Sequence, residues 1–88
     1  MAPQNSYPSI GSPAIYNIRV VGQLDESWSN RLGGLTITST MLNDQQVVTS
    51  LQGTLIDQAA LFGVLMALYD LRLPLLSVEC LRESNQLA

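Results

Sequence analysis

The sequence predicts a small α+β domain: a four-stranded, mainly antiparallel sheet with one long helix on one face and a short helix after the first strand. The chain has 88 residues, which is enough for one domain with one core. Three stretches rich in β-branched residues, and a fourth at residues 75–81 that alternates apolar and polar residues, are predicted strands. One longer segment repeats its apolar residues at helical spacing. The predicted element order is β-α-β-β-α-β.

The first strand and the short helix open the domain. Residues 14–22 alternate apolar Tyr16, Ile18 and Val20 with polar residues, which indicates a strand with one face in the core. Residues 25–32 begin with two carboxylates and end at a pair of glycines. This pattern indicates one or two helical turns that stop at glycine.

The second and third strands are predicted to form a hairpin. Residues 35–42 alternate Leu35 and Ile37 with threonines, a pattern typical of a sheet with one face in water. An Asn-Asp pair marks the turn, and residues 45–51 return. Two adjacent valines in the returning strand leave its register open, and Gly53 is predicted to break that strand.

The long helix and the last strand complete the predicted fold. Asp57 is a good N-cap residue, and the helix is expected to run to about Leu71, because Pro74 forbids its continuation. Residues 75–81 form the last strand, in which Cys80 falls on the apolar side and is predicted to be a buried, inert thiol. A right-handed crossover through the helix would make the third and last strands parallel.

The long helix carries three rows of residues with different chemistry. The row predicted to cover the sheet consists of Leu61, Val64, Leu65, Leu68 and Leu71. A second apolar row, about 100° around the helix, consists of Phe62, Met66 and Tyr69. A third row contains only small residues, Ala59, Gly63 and Ala67, and would let another backbone approach closely.

Two interpretations of the second row remain open. Either a protein partner covers Phe62, Met66 and Tyr69, or the N-terminal tail, the short helix or a curled sheet covers them within the monomer. Trp28 of the short helix is likewise either an anchor in the core or a contact for a ligand or partner. The candidate interaction residues are therefore Phe62, Gly63, Met66, Tyr69, Ala59, Ala67 and Trp28.

Polar residues on the open face of the predicted sheet form a second candidate site. Arg19, Thr36, Thr38 and Ser77 alternate with the apolar residues of their strands, so they are candidates for binding a small molecule or an anion. Arg19 also shares this face with Glu79 if the first and last strands are neighbours. The alternative role for Arg19 is then an exposed cross-strand ion pair.

Composition excludes several classes of function. The net charge is −3 and the four cations are single, scattered arginines, so no basic patch is available for nucleic acid or an anionic membrane. With no histidine and one cysteine, neither a zinc site of the usual ligands nor a Ser/His/Asp or Cys/His nucleophile can be assembled in one copy. We predict no catalytic residue, no metal and no cofactor. An enzyme with a site at a dimer interface would have only carboxylates, arginines and hydroxyls.

The ends of the chain bound the domain. Residues 1–13 are rich in Pro, Ser and Asn and are predicted to form a flexible tail, residues 14–82 the domain, and residues 83–88 a frayed C-terminus. The tail lacks the positive region and apolar run of a signal peptide. The longest apolar stretch, residues 59–69, is about half of a membrane span. One cysteine allows no internal disulfide, so a cytoplasmic protein is predicted.

Several segments resemble a group of short bacterial proteins of unknown function. The shared pattern reads L-D-x-S-W-S, then G-L-x-I, then G-x-L-x-D-Q-A-A-L-x-G-x-L, then D-L-x-L-P-L-L-S-V, and covers most of residues 15–81. The resemblance implies no established activity. These relatives have a polar or histidine residue at the position of Phe62 and basic residues near Glu79 and Cys80. This chain is therefore more apolar and more acidic, which favours a dedicated protein contact.

Together these observations predict a non-enzymatic protein-interaction or regulatory module. We expect it to be a homodimer that self-associates through the apolar helix surface. The alternative is a domain that senses a small molecule or anion on its open sheet face. Neither nucleic acid nor a membrane is an expected partner.

Overall fold

A computed structural model describes residues 9–43 and 45–83. In chain order the elements are β1 (Ala14–Val21), a 3₁₀ helix (Glu26–Leu32), β2 (Thr36–Met41), β3 (Val47–Leu55), α1 (Gln58–Asp70) and β4 (Leu75–Glu83). The predicted α+β class and the order β-α-β-β-α-β are confirmed, with a 3₁₀ helix as the short helix. Within these described ranges, no helix has the length and apolarity that crossing a bilayer requires.

The four strands form one sheet in the order β2-β3-β1-β4. Every neighbouring pair is antiparallel. Since β3 and β4 are both antiparallel to β1, they are parallel to each other, as predicted for two strands joined through a helix. The topology consists of two interleaved split β-α-β units, the ferredoxin-like arrangement. β1 and β3 are central, and β2 and β4 are the two edges.

The core lies between one face of this sheet and the two helices. β1 contributes Ala14, Tyr16, Ile18 and Val20, none of which is more than 2% exposed. Residues of the 3₁₀ helix, β3 and α1 complete the same cluster, among them Leu32, Leu51, Leu55, Leu61, Val64 and Leu68. The predicted core row of the long helix is confirmed, with its two remaining leucines half-buried at the margin of the cluster.

β3 is longer than predicted, because it continues through Gly53. This residue pairs with Tyr16 of β1 and has a φ of +156°, which favours glycine. A Cβ on Gly53 would lie 3.1 Å from Cδ2 of Leu35, so glycine also leaves room for that buried side chain. The prediction that Gly53 breaks the strand is wrong. The pairing also resolves the register, with Val47 on the core face and Val48 on the other.

The 3₁₀ helix has the predicted signals at both ends. The side chain of Asp25 accepts a hydrogen bond from the backbone N–H of Ser27 at 3.3 Å. At the other end Gly33 adopts the left-handed conformation and donates its N–H to the carbonyl of Ser29. The Ser29 hydroxyl donates to the carbonyl of Leu35 at 2.6 Å, which fixes the entry into β2.

α1 begins at its predicted N-cap and ends in a Schellman turn. Asp57 accepts a hydrogen bond from the backbone N–H three residues on, at 2.8 Å. At the C-terminus Arg72 donates its N–H to the carbonyl of Tyr69 at 2.9 Å, and Leu73 donates to that of Leu68 at 3.2 Å. These are the two bonds of the Schellman motif, and Arg72 takes its left-handed position with φ +64°.

Parts of the predicted tail and ends lie outside the described residues, namely residues 1–8, Asp44 and residues 84–88. Within the described part of the tail, the carbonyl of Ile10 accepts a hydrogen bond from the backbone N–H of Gln58 at 3.0 Å. That bond satisfies one of the amides that a helix N-terminus leaves without an intrahelical partner. The segment before β1 therefore contacts the start of α1.

Candidate functional site

The second apolar row of α1, called the helix stripe below, lies in solvent. It consists of Phe62, Met66 and Tyr69, which are 60%, 59% and 75% exposed. Spacings of four and three residues place these side chains next to one another on the helix surface. Neither the 3₁₀ helix nor the sheet covers them, and residues 1–8 lie outside the described part of the chain. The described domain thus leaves an aromatic and thioether surface uncovered.

The small row runs beside the helix stripe. Ala59 and Gly63 are exposed and Ala67 is half-buried. A Cβ added to Gly63 would meet no atom of residues 9–43 or 45–83 within 4 Å. Packing within the described monomer therefore does not require glycine at this position.

Trp28 is engaged within the chain. Its side chain is half-buried and packs against the core cluster. The guanidinium carbon of Arg31 lies 5.2 Å from the centroid of the ring, a distance typical of a cation–π contact. These contacts correspond to the anchor role, and the structure does not place Trp28 in the helix stripe.

The core-facing side of β4 is also open to solvent. Val78 and Cys80 pair with Ile18 and Tyr16 on the core face of the sheet. Val78 is nevertheless 37% exposed, and Cys80 is exposed. The prediction of a buried thiol at Cys80 is wrong, because β4 is an edge strand that α1 does not cover. The other exposed apolar residues of β4 are Leu75, Leu76 and Leu81, at 54%, 50% and 47%.

An apolar groove joins the helix stripe to the start of β4. Its volume is about 310 Å³, and its lining consists of Leu65, Met66, Leu68, Tyr69, Leu73, Pro74 and Leu75. Met66 and Tyr69 belong to the helix stripe, so the stripe lies on the β4 side of α1. The stripe, the groove and β4 together form one exposed apolar surface.

On the opposite face of the sheet, most residues of the predicted anion site lie in one row across the strands. Thr38, Ser50, Arg19 and Ser77 are successive cross-strand partners from β2 to β4. Thr36 lies in the adjacent row. Ser50 is a member of the row that sequence reasoning missed, since it required the strand order. A guanidinium flanked by hydroxyls presents hydrogen-bond donors that suit an anion.

The expected pairing of Arg19 with Glu79 is only diagonal in this sheet. The two strands are neighbours, as that prediction required, but Arg19 lies opposite Ser77 and Glu79 opposite Asn17. The side-chain oxygen of Asn17 is buried and accepts no hydrogen bond from the residues that the structure describes. In the described ranges, no group of three or more His, Cys, Asp or Glu side chains is placed to bind a metal ion.

Residues 15–79 match a family model described as a domain of unknown function (DUF8691). The chain belongs to the DUF8691 family. No curated protein and no solved structure matches it. The DUF8691 match begins in β1 and ends in β4, so it includes both the helix stripe and the polar row.

The sequence predicted the helix stripe of this DUF8691 domain. It did not predict that β4 contributes to the same exposed apolar surface. Alternation along β4 correctly assigned Val78 and Cys80 to one face. It carried no information on whether a helix covers that face, because coverage depends on the strand order. The signal in the sequence is the low charge of residues 75–81, in which Glu79 is the one charged residue, since exposed edge strands normally carry more charge.

Proposed function

We propose that this DUF8691 protein is a non-enzymatic protein-interaction or regulatory module that self-associates through the apolar surface of α1. The observation that carries the proposal is the exposure of Phe62, Met66 and Tyr69, each at least 59%. Monomeric proteins rarely expose contiguous apolar patches of large side chains, and such patches commonly mark interaction sites. A second copy of the chain would remove this surface from water.

The small row supports the same contact. Glycine inside a helix is less favourable than alanine by about 1 kcal/mol, and no atom in the described part of the chain requires it at Gly63. Its absent side chain lets another chain approach α1 beside Met66. Ala59 and Ala67, one turn away on either side, widen this approach.

The proposal includes a cellular setting. The single cysteine favours a reducing compartment such as the cytoplasm, and the sequence resemblance favours a bacterial origin. A net charge of −3 opposes binding to nucleic acid or an anionic membrane. The partner we expect is therefore a protein surface.

Native mass spectrometry and light scattering of the purified chain test self-association. We expect a dimer for the natural chain, and a loss of affinity of at least about tenfold for the double variant Phe62→Ser, Tyr69→Ser, since tenfold corresponds to only about 1.4 kcal/mol. Gly63→Leu is expected to weaken the dimer as well, while circular dichroism shows an intact helix. Ile56→Ser is the matched control, because Ile56 is 69% exposed outside α1 and its loss should leave the dimer unchanged.

Three outcomes contradict this proposal. One is a natural chain that stays monomeric at micromolar concentration. Another is a dimer that both the double variant and Gly63→Leu leave intact. A fall in affinity for Ile56→Ser equal to that of the double variant would also show that the helix stripe is not the contact.

A second candidate function is the sensing of a small molecule or anion on the opposite sheet face. The alignment of Thr38, Arg19 and Ser77 in one cross-strand row favours it, since guanidinium and hydroxyl groups recognise carboxylates and phosphates. A ligand that binds only the folded chain raises its melting temperature. We expect phosphate or a dicarboxylate to raise that temperature for the natural chain and not for Arg19→Gln. No shift across a panel of such anions would contradict this function.

A further inference from the structure

The two edges of the sheet differ in length and chemistry. β2 has six residues, and its exposed side chains are mostly hydroxyls, Thr36, Thr38, Ser39 and Thr40. β4 has nine residues and exposes Leu75, Leu76, Val78 and Leu81. An edge strand presents unpaired backbone N–H and C=O groups, and natural proteins protect such edges by making them short, polar or charged. β2 follows this rule. In β4 the charges are Glu79 and the two terminal residues, and the strand shifts register against β1 near Leu76 and Leu81, so the stretch 75–81 keeps only one charged side chain among its exposed apolar ones.

We propose that β4 pairs with β4 of a second copy of this chain, antiparallel and about a two-fold axis at Val78, so that two sheets become one sheet of eight strands. This inference rests on the self-association proposed above and specifies its geometry. A two-fold contact places the same patch of each copy face to face, so the patch must be complementary to itself. The residues of β4 meet that requirement.

Pairing about Val78 sets compatible residues opposite one another over residues 75–81. The two Val78 side chains would be direct neighbours on the core face. Leu76, which the pairing of β4 with β1 skips at a register shift, would lie opposite Cys80 of the other copy, and this adds two apolar pairs. Ser77 would lie opposite Glu79, where a hydroxyl can donate to a carboxylate. Cross-strand pairs of this kind each contribute roughly 0.2–1 kcal/mol, so they specify the register.

The other registers with matched faces are less favourable. An axis at Glu79 would set two carboxylates directly opposite each other, which is destabilising. An axis at Ser77 would place Glu79 opposite Leu75, and an axis at Cys80 would place it opposite Leu81. Each of these pairs a charge with an apolar side chain. Over residues 75–81 the axis at Val78 avoids all three conflicts.

The same arrangement covers the helix stripe and the groove. An axis perpendicular to the sheet keeps both copies of α1 on one face. The β1 strands on either side of the junction would be three strand spacings apart, about 14 Å, whereas packed helix axes lie about 8–10 Å apart. The gap above the paired β4 strands therefore needs large side chains, and Phe62, Met66 and Tyr69 of each copy point toward it.

The exposed apolar area is close to the area that each partner buries in a standard interface. The apolar side chains of the helix stripe and β4 expose between 37% and 75% of their surface. Together they present about 700 Å² per chain, close to the ~800 Å² per partner of a standard interface. New backbone hydrogen bonds along β4 would add to this apolar contact.

Disulfide trapping tests the register. Directly opposite residues in an antiparallel pair have Cβ atoms about 4.5–5.5 Å apart, near the distance that a disulfide spans. Val78→Cys combined with Cys80→Ser should therefore shift mostly to a covalent dimer when the full chain is oxidised with diamide. Thr38→Cys combined with Cys80→Ser is the matched control on the β2 edge, and it should remain a non-covalent species. Circular dichroism of both variants before oxidation checks that they are folded.

The outcomes separate this inference from the proposed function. If the natural chain is a dimer but Val78→Cys cross-links no more than Thr38→Cys, β4 pairing is overturned and self-association through α1 stands. If the natural chain cross-links efficiently through Cys80 while Val78→Cys does not, the axis at Val78 is overturned. If the natural chain is a monomer by mass, both ideas are overturned together.

Discussion

Two adjacent glycines offer a controlled test of how the 3₁₀ helix is joined to the core. Gly33 and Gly34 both have left-handed φ, at 73° and 74°. A Cβ on Gly33 would lie 2.7 Å from Cδ2 of Leu55 and 3.3 Å from Cγ2 of Val64, whereas a Cβ on Gly34 would meet nothing within 4 Å. Alanine at Gly34 therefore changes only the backbone preference. Alanine at Gly33 changes the backbone preference and also overpacks the core.

The two costs can be estimated separately. A left-handed conformation costs a residue with a Cβ about 1–2 kcal/mol, and overpacking a core adds roughly 1–3 kcal/mol. Leu55 and Val64 are only 3% and 4% exposed, so their side chains have little room to move away. We expect Gly34→Ala to lower the free energy of unfolding by about 1 kcal/mol and Gly33→Ala by about 2–4 kcal/mol. For a domain of this size, each kcal/mol lowers the melting temperature by roughly 4–8 °C.

Circular dichroism during thermal and urea unfolding measures both variants. The chain concentration must be equal in all samples, because self-association would itself raise the apparent stability. The informative quantity is the difference between the two variants, since the backbone term is common to both. Equal destabilisation by Gly33→Ala and Gly34→Ala would refute the conclusion that Gly33 leaves space for Leu55 and Val64.

Two further substitutions test single features of the fold. Arg72→Gly should raise the free energy of unfolding by about 1 kcal/mol, because Arg72 has φ +64° in the Schellman turn and a left-handed φ is unfavourable for a residue with a Cβ. A loss of stability in urea unfolding would contradict this explanation. Thr49→Val should lower the free energy of unfolding by about 1–2 kcal/mol. Thr49 is fully buried, and its hydroxyl donates to the carbonyl of Gly22 at 2.6 Å and lies 3.0 Å from the hydroxyl of Ser39. Thr54→Val on the exposed face is the control, and an equal loss there would show that the buried hydroxyl has no special role.

Elements that depend on local chemistry were predictable from the sequence. Asp57 marks the start of α1 because its side chain caps a first-turn amide, and Gly33 marks the end of the 3₁₀ helix because it accepts a left-handed φ. Both effects act within four residues. The continuation of β3 through Gly53 was not predictable in this way, since it depends on pairing with Tyr16 and on the space that Leu35 occupies, both distant in sequence.

The candidate site also has one part that local sequence predicted and another that depends on residues distant in sequence. Helical spacing places Phe62, Met66 and Tyr69 on one side of α1, and their exposure agrees with a row outside the core. The exposure of Cys80 was not predictable, since alternation assigns a strand residue to a face and not to a covered or open part of that face. The polar row through Arg19 likewise required the strand order, which the sequence alone left undetermined.

One side of β4 is open because the two helices are too short to cover all four strands. In a split β-α-β topology each crossover supplies a helix to the same sheet face. Here the first crossover has only a seven-residue 3₁₀ helix, and α1 has 13 residues. These two elements meet over the centre of the sheet, where Leu32 and Val64 belong to the same core cluster.

Nothing in the described chain remains to cover β4. A domain of this size already buries a smaller share of its surface than larger domains do. A second copy joined along β4 would supply the missing cover from its own helix stripe. On this proposal the interaction surface consists of apolar side chains that one chain leaves exposed and a second copy buries. The same side chains would therefore contribute to both assembly and stability.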